Sequence, residues 1–180
     1  MAQSVSEHEA AAEASLTHSD DAAQQGEKAR EIALRLLSHA PRSTGQLREA
    51  LVSREIPEDV ADEVVARYVE VGLLDDAALA GAIARTRHRE RGKARRVIAQ
   101  ELQRKGFDAA QVDEAVGQIS EDDERDAAAH LAEKRWRQLS NVDEDARVRR
   151  VVGMLGRRGY SPSLAFALVK DLQRADIEDA

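Results

Sequence analysis

The sequence predicts an all-α fold made of three tandem three-helix repeats forming an elongated, curved array. Three observations carry that prediction. The segment Leu102-Gln-Arg-Lys-Gly-Phe107 returns as Leu155-Gly-Arg-Arg-Gly-Tyr160, and a weaker copy, Leu51-Val-Ser-Arg-Glu-Ile56, lies about the same distance upstream. Apolar residues flank each copy at helical spacing: Leu47, Ile98 and Val151 before it, then Val60 and Val64, Val112 and Val116, Leu164 and Leu168 after it. Aromatic residues are only 3% of the chain, which suits small helical units better than one bulky core. A unit of roughly 50 residues cannot bury its apolar faces alone, so stacked copies share a core and expose one extended surface. Surfaces of that kind serve binding more than catalysis.

Each element has its own signals. Ile32, Ala33, Leu36 and Leu37 recur as a helix face that Pro41 stops. Ser43 with Gln46 forms a capping box for a second helix through Leu47 and Leu51. Pro57 suits the first helical position of a third, which carries Val60, Val64, Tyr68 and Val71 and ends at Gly72. Leu79, Ala80 and Ile83 open the second unit; Ala94, Val97, Ile98 and Leu102 mark its middle helix, and Val112, Val116 and Ile119 its last. In the third unit Leu131, Trp136 and Leu139 belong to the opening helix, and Val148, Val151, Val152 and Leu155 to the next. Ser161-Pro162 is an N-cap followed by proline, and Leu164, Leu168 and Leu172 complete the series. Gly106 and Gly159 stand where a left-handed residue ends a helix. Glu55 replaces that glycine in the first copy, so a different turn is expected there.

These signals place the repeats at residues 28–74, 75–120 and 121–174. Residues 1–27 carry Glu7, Glu9, Glu13, Asp20, Asp21 and Glu27 against no Lys or Arg, with only Val5 and Leu16 as large apolar groups. That is too little burial to offset ordering entropy of ~1 to 2 kcal/mol per residue, so a disordered acidic tail is expected. Residues 175–180 are expected to fray. Gly72 to Asp76 reads as a joint, with the glycine ending one helix and Asp75 or Asp76 capping the next. Trp136 reads as an anchor at a junction between units, because one aromatic supplies no series of base-stacking sites.

Several function classes are disfavoured. Without cysteine the chain has no disulfide framework, thiol nucleophile or cysteine-based metal site. No apolar run approaches the ~20 residues that span a bilayer, and the N-terminus lacks the basic start and apolar core of a signal peptide, so a cytoplasmic protein off the membrane is expected. His8 and His18 fall in the tail, and His39, His88 and His130 in three different units, with no repeated ligand spacing. Gly92-Lys93 lacks the upstream glycine and the following Ser or Thr of a phosphate-binding loop. Asp122 and Asp123, like Asp75 and Asp76, suit helix starts, where they complement the dipole. No enzyme activity, cofactor or metal is expected.

The net charge of −7 hides a strong partition. Arg85, Arg87, Arg89, Arg91, Lys93, Arg95, Arg96, Arg104 and Lys105 are opposed in their stretch only by Glu90 and Glu101. A second cluster holds Lys134, Arg135, Arg137, Arg147, Arg149, Arg150, Arg157 and Arg158, and the acids Glu121, Asp122, Asp123, Glu124 and Asp126 lie between the two. This predicts a basic face and an acidic edge, with Arg95-Arg96 and Arg149-Arg150 pointing away from the core in matching places on successive units. A solvated, salt-bridged helix surface explains isolated charge runs equally well; their repetition favours binding.

Gly72-Leu73-Leu74-Asp75-Asp76, Leu79-Ala80, Arg87, Gly92, Arg96-Val97-Ile98, Glu101-Leu102 and Lys105-Gly106-Phe107 together resemble the middle repeat of the RecX family, bacterial regulators of the RecA recombinase. Leu155 to Tyr160 resembles that family's third-repeat signature, and the resemblance runs from about residue 30 to 174. Leu79 stands where an aromatic is common and Ile83-Ala84 where an aromatic-Val pair is usual, both apolar exchanges. The resemblance implies a protein lying in the groove of a RecA filament on single-stranded DNA, limiting filament growth, strand exchange, ATP hydrolysis and repressor self-cleavage. A helix of about 14 residues spans ~21 Å, so three units side by side suit adjacent filament subunits. The residues expected to face acidic filament surfaces or phosphate are Arg87, Lys93, Arg95, Arg96, Arg104, Lys105, Arg149, Arg150, Arg157 and Arg158. A monomer with weak direct contact to single- or double-stranded DNA is expected. The competing reading is an autonomous, weakly sequence-selective DNA-binding protein of helix-turn-helix-like units, and a third is a scaffold without nucleic acid.

Overall fold

Helices joined by short turns make up residues 22–178, the part of the chain that the computed structural model describes, and no strand occurs among them. Helix α1 covers residues 22–39, followed by α2 (Thr44–Val52), α3 (Glu58–Glu70), α4 (Asp76–Arg89), α5 (Arg95–Arg104), α6 (Ala109–Gly117), α7 (Glu121–Gln138), α8 (Glu144–Arg157) and α9 (Pro162–Glu178). Three helices fall to each repeat. The tail expected over residues 1–27 lies outside the described residues up to residue 21, but residues 22–27 belong to α1. Ala22 and Ala23 are strong helix formers, and they extend a helix anchored by the fully buried Ala29 and Ala33. The expected fraying from residue 175 is likewise replaced by helix to Glu178. Asp176 holds that last turn by accepting from Trp136 Nε1 at 2.9 Å and Arg147 at 2.6 Å.

The chain forms two compact units, the first ending at Asp76 and the second beginning at Ala77. In the first, Ala29 and Ala33 of α1, Leu47 and Leu51 of α2, and Ala61, Val64 and Tyr68 of α3 close a core with Ile56 and Leu74 from the turns. The Ser43 hydroxyl accepts the Gln46 N–H at 3.1 Å while Gln46 accepts from the Ser43 N–H, completing the capping box that starts α2. Pro57 is the N-cap of α3 rather than its first helical residue; its extended ψ of 144° places it one position earlier. Asp76, the first residue of α4, is buried and accepts from the Thr44 N–H at 2.9 Å and the Thr44 hydroxyl at 2.7 Å. It thus serves the start of α2, a long-range role beyond the local cap expected of it.

The signature turn is the same in all three repeats. The amide after the turn donates back to the signature leucine: Ile56 to Leu51 at 3.3 Å, Phe107 to Leu102 at 3.3 Å, Tyr160 to Leu155 at 3.2 Å. Gly106 and Gly159 have φ of 79° and 94°, and Glu55 adopts φ 63°. The different turn expected at Glu55 is therefore absent. Burial of Leu51 and Ile56 on either side of the turn holds an exposed glutamate in a conformation that favours glycine.

Within the second unit, Ala80, Ala84, Ile98, Leu102, Phe107 and Val112 form one cluster, and α7, α8 and α9 close another around Ala128, Ala132, Trp136, Val151, Leu155 and Leu168. Ala94, the N-cap of α5, is buried in that second cluster, so the two repeats share a core. Close backbone approach fixes the joint. A Cβ on Gly159 would strike Val97, and one on Gly92 would lie 2.5 Å from Leu131 Cδ1. The Ala94 N–H donates to the Arg158 carbonyl at 2.9 Å, and the Arg95 N–H to Glu124 Oε1 at 2.7 Å.

Trp136, expected as an anchor at a junction, is buried in this shared cluster, and its polar partners come from the third repeat. The Arg147 guanidinium lies 3.8 Å over its ring, donates from Nε to the Trp136 carbonyl at 3.0 Å and reaches Asp176.

Candidate partner-binding face

The basic residues of the second and third repeats divide into two groups according to their partners. Arg87 on α4 and Lys93 in the turn before α5 both bind Glu101, at 2.7 and 2.9 Å. The Glu101 side chain is only 15% exposed. Hydrogen bonding from Arg87, aided by Lys93, holds its carboxyl down at about 2, and the same pair raises Arg87 above the usual guanidinium value. These two cations, expected among the partner-facing residues, neutralise a half-buried acid within the fold. Burying a carboxylate demands such pairing. Met154 holds the corresponding place before the third signature leucine, where no ion pair is needed.

The other eight candidates lie on α5, on α8 and at their C-terminal ends. Arg96, Arg104, Arg149, Arg150 and Arg157 are exposed, and Arg95, Lys105 and Arg158 are half-buried. Among the described residues, no salt bridge engages Arg95, Arg96, Arg104, Arg149, Arg150, Arg157 or Arg158. The expected matching of Arg95-Arg96 with Arg149-Arg150 is off by one. Arg96 and Arg149 both stand six residues before the signature leucine, but Arg95 matches Val148 and Arg150 matches Val97. Arg104 and Lys105 do match Arg157 and Arg158, since each pair closes its helix two residues after that leucine. The bond from Ala94 to Arg158 brings the start of α5 beside the end of α8, so charges from two repeats meet at their joint.

A groove of about 530 Å³ opens at this joint, lined by Arg95, Arg96, Ala99, Val116, Glu124, Tyr160 and Ser161 among others. Tyr160 is 3% exposed, and burial pushes its hydroxyl up to about 12. Charge clustering placed Glu124 in an acidic run without distinguishing it from its neighbours, and Tyr160 stood only as the aromatic of a helix-ending signature, so neither was marked as a groove residue. A second groove, of about 460 Å³ between α7 and α9, is lined by Asp126, His130, Glu133 and Asp171 with Leu168 and Leu172, and carries the opposite sign. Among the described residues, no cluster of three or more His, Asp or Glu is disposed to hold a metal ion, and no helix is long and apolar enough to cross a membrane.

Comparison with known proteins supports the same three-part division. Residues 29–67, 75–116 and 121–169 match, in order, the first, second and third three-helix domains of RecX. The chain is 46% identical over 153 residues to the regulatory protein RecX of Streptomyces coelicolor, covering 85% of this chain and 81% of that one. It is 44% identical to that of Thermobifida fusca, covering 83% and 80%. Among solved structures, RecX from Lactobacillus salivarius superimposes with a TM-score of 0.73 at 23% identity, over 84% of this chain and 98% of that one. A second structure, of a regulatory protein RecX, gives 0.72 at 27% identity, over 86% and 76%. With all three of its repeats matched in order, the chain belongs to the RecX family of regulatory proteins.

Proposed function

We propose that this chain is a negative regulator of the RecA recombinase, seated along the RecA filament on single-stranded DNA through the basic surface of its second and third repeats. Bound there, it limits filament growth and with it strand exchange, ATP hydrolysis and the filament's coprotease activity. Arg95, Arg96, Arg104, Lys105, Arg149, Arg150, Arg157 and Arg158 supply the contact, and Arg87 and Lys93 do not. The observation that carries the reading is the recurrence of Arg96 at Arg149 and of Arg104 at Arg157, exposed and without ion pairs, in successive repeats. Guanidinium groups suit carboxylate and phosphate alike. A target made of repeating subunits engages such an array at several points, so weak contacts gain by multivalency.

The test is single-stranded-DNA-dependent ATP hydrolysis by the cognate RecA, with this protein well below one per RecA. Inhibition is expected from the native chain. Its loss is expected when Arg96, Arg104, Arg149 and Arg157 are all changed to Glu, with helicity by circular dichroism unchanged. Retained inhibition by that variant rejects the basic surface as the contact. Failure of the native chain to inhibit, together with tight salt-sensitive binding to bare DNA, favours an autonomous DNA-binding protein.

A further inference from the structure

The groove between the second and third repeats offers more than a charged rim. It is lined by the first residues of α5, and the first amides of a helix lack intrahelical partners and carry partial positive charge; α9 also borders it, but Pro162 has no N–H and the Leu164 N–H goes to Ser161 Oγ. In α5, the Val97 N–H turns back to the Ala94 carbonyl and the Arg95 N–H goes to Glu124, which leaves the Arg96 amide. Tyr160 lines the same groove, 3% exposed, with a buried hydroxyl that has no hydrogen-bond partner. A buried donor is costly to leave unmet. Packing alone does not require that hydroxyl, because the corresponding residues are Phe107 in the second repeat and Ile56 in the first. Glu124 is the acid lining the groove, and its carboxylate already sits on an α5 amide, where an incoming anion would bind.

We propose that this groove is a binding site for one phosphate group, held by the Arg95 and Arg96 side chains, the amides opening α5 and the Tyr160 hydroxyl, with Glu124 as the intramolecular occupant that the phosphate displaces. With its hydroxyl pushed up to about 12, Tyr160 keeps its proton at neutral pH and donates it to a phosphate oxygen. Val116 and Leu164 give the groove an apolar wall suited to a sugar beside the phosphate. The phosphate comes from a free ion or from the backbone of single-stranded DNA. The inference deepens the reading of the basic surface as a partner-binding face and rests on it for Arg95 and Arg96, yet it is testable without RecA.

The experiment follows backbone amide and tyrosine ring signals of the full chain by NMR. Inorganic phosphate, chloride at equal ionic strength and a short oligothymidylate are titrated separately. Saturable shifts at the Arg95 and Arg96 amides and the Tyr160 ring are expected with phosphate or oligothymidylate and not with chloride. Saturation by inorganic phosphate makes the phosphate group itself the ligand; shifts with oligothymidylate alone assign the site to the DNA backbone. Glu124→Gln, which keeps an oxygen to accept the Arg95 N–H, is expected to bind several-fold tighter. Tyr160→Phe is expected to bind several-fold weaker with its melting temperature unlowered. Absence of shifts with both ligands, equal shifts with chloride, or native affinity in Tyr160→Phe overturns the proposal. A native chain that inhibits RecA but gives no such shifts removes the phosphate site and leaves the basic face standing; shifts without inhibition do the reverse.

Discussion

Glu55 and Glu101 show how a single residue is fixed by its neighbours. Glu55 holds φ 63° because buried side chains on both sides impose the turn, and an L-residue with a Cβ pays for that conformation. Glu55→Gly is therefore expected to raise stability, by about 1 kcal/mol, as a shift in the denaturation midpoint. Glu101 is held at about 2, below its ordinary value of 4.5, chiefly by Arg87. A group whose carboxyl is depressed in the folded state stabilises above its ordinary value and loses that contribution as pH falls toward the folded one. Stability should thus decline between about pH 4.5 and 2 by on the order of 3 kcal/mol from this group. Glu101→Gln should lack that part of the slope in acid titrations followed by circular dichroism. Neither role could be read from the chain alone. The signature turn was legible as glycine, so its adoption by glutamate was hidden, and Glu101 looked like one acid among cations until the α4–α5 turn delivered Arg87 and Lys93 to it.

Elements were far more legible. Capping boxes at Ser43, and apolar spacing through Ile98 and Leu102 or Val151 and Leu155, act within one or two turns of chain, and helices formed where these signals stood. Ends set by distant contacts were missed. The last turn of α9 persists because Asp176 serves Trp136 and Arg147, residues far away in sequence. Arg147→Ala removes a cation over the indole and its bonds to Asp176 and the Trp136 carbonyl. It should cost about 1 to 3 kcal/mol and shift the emission of the single tryptophan to longer wavelength. The joint between the second and third repeats is equally specific. Gly159→Ala brings a methyl group against Val97 at a φ of 94°, so a loss of about 2 to 4 kcal/mol is expected in thermal or urea unfolding.

For the whole molecule, the threefold division was plain in the sequence, whereas the ion pairing that divides the cations into two groups was not. Counting arginines located the charged surface, but which of them stay unpaired depends on acids that the fold brings up. The two compact units add a prediction at this scale. Trp136 lies in the second unit, while helices of both contribute to circular dichroism. If the units unfold independently, urea titration will show an ellipticity change that the tryptophan does not follow; coincident curves would mean that the units unfold together.

The contact of Gly159 with Val97 bears on how such an array lengthens. Repeat proteins grow by tandem duplication, which works when every copy offers the next the same socket. Here the socket is a valine five residues before the signature leucine of the second repeat, and the third repeat has Arg150 in that place. A duplicate of the third repeat seated in the same manner would press its glycine backbone onto a guanidinium stem. Extension by copying would need a change at residue 150 first, and that change would remove one of the cations proposed to meet the partner.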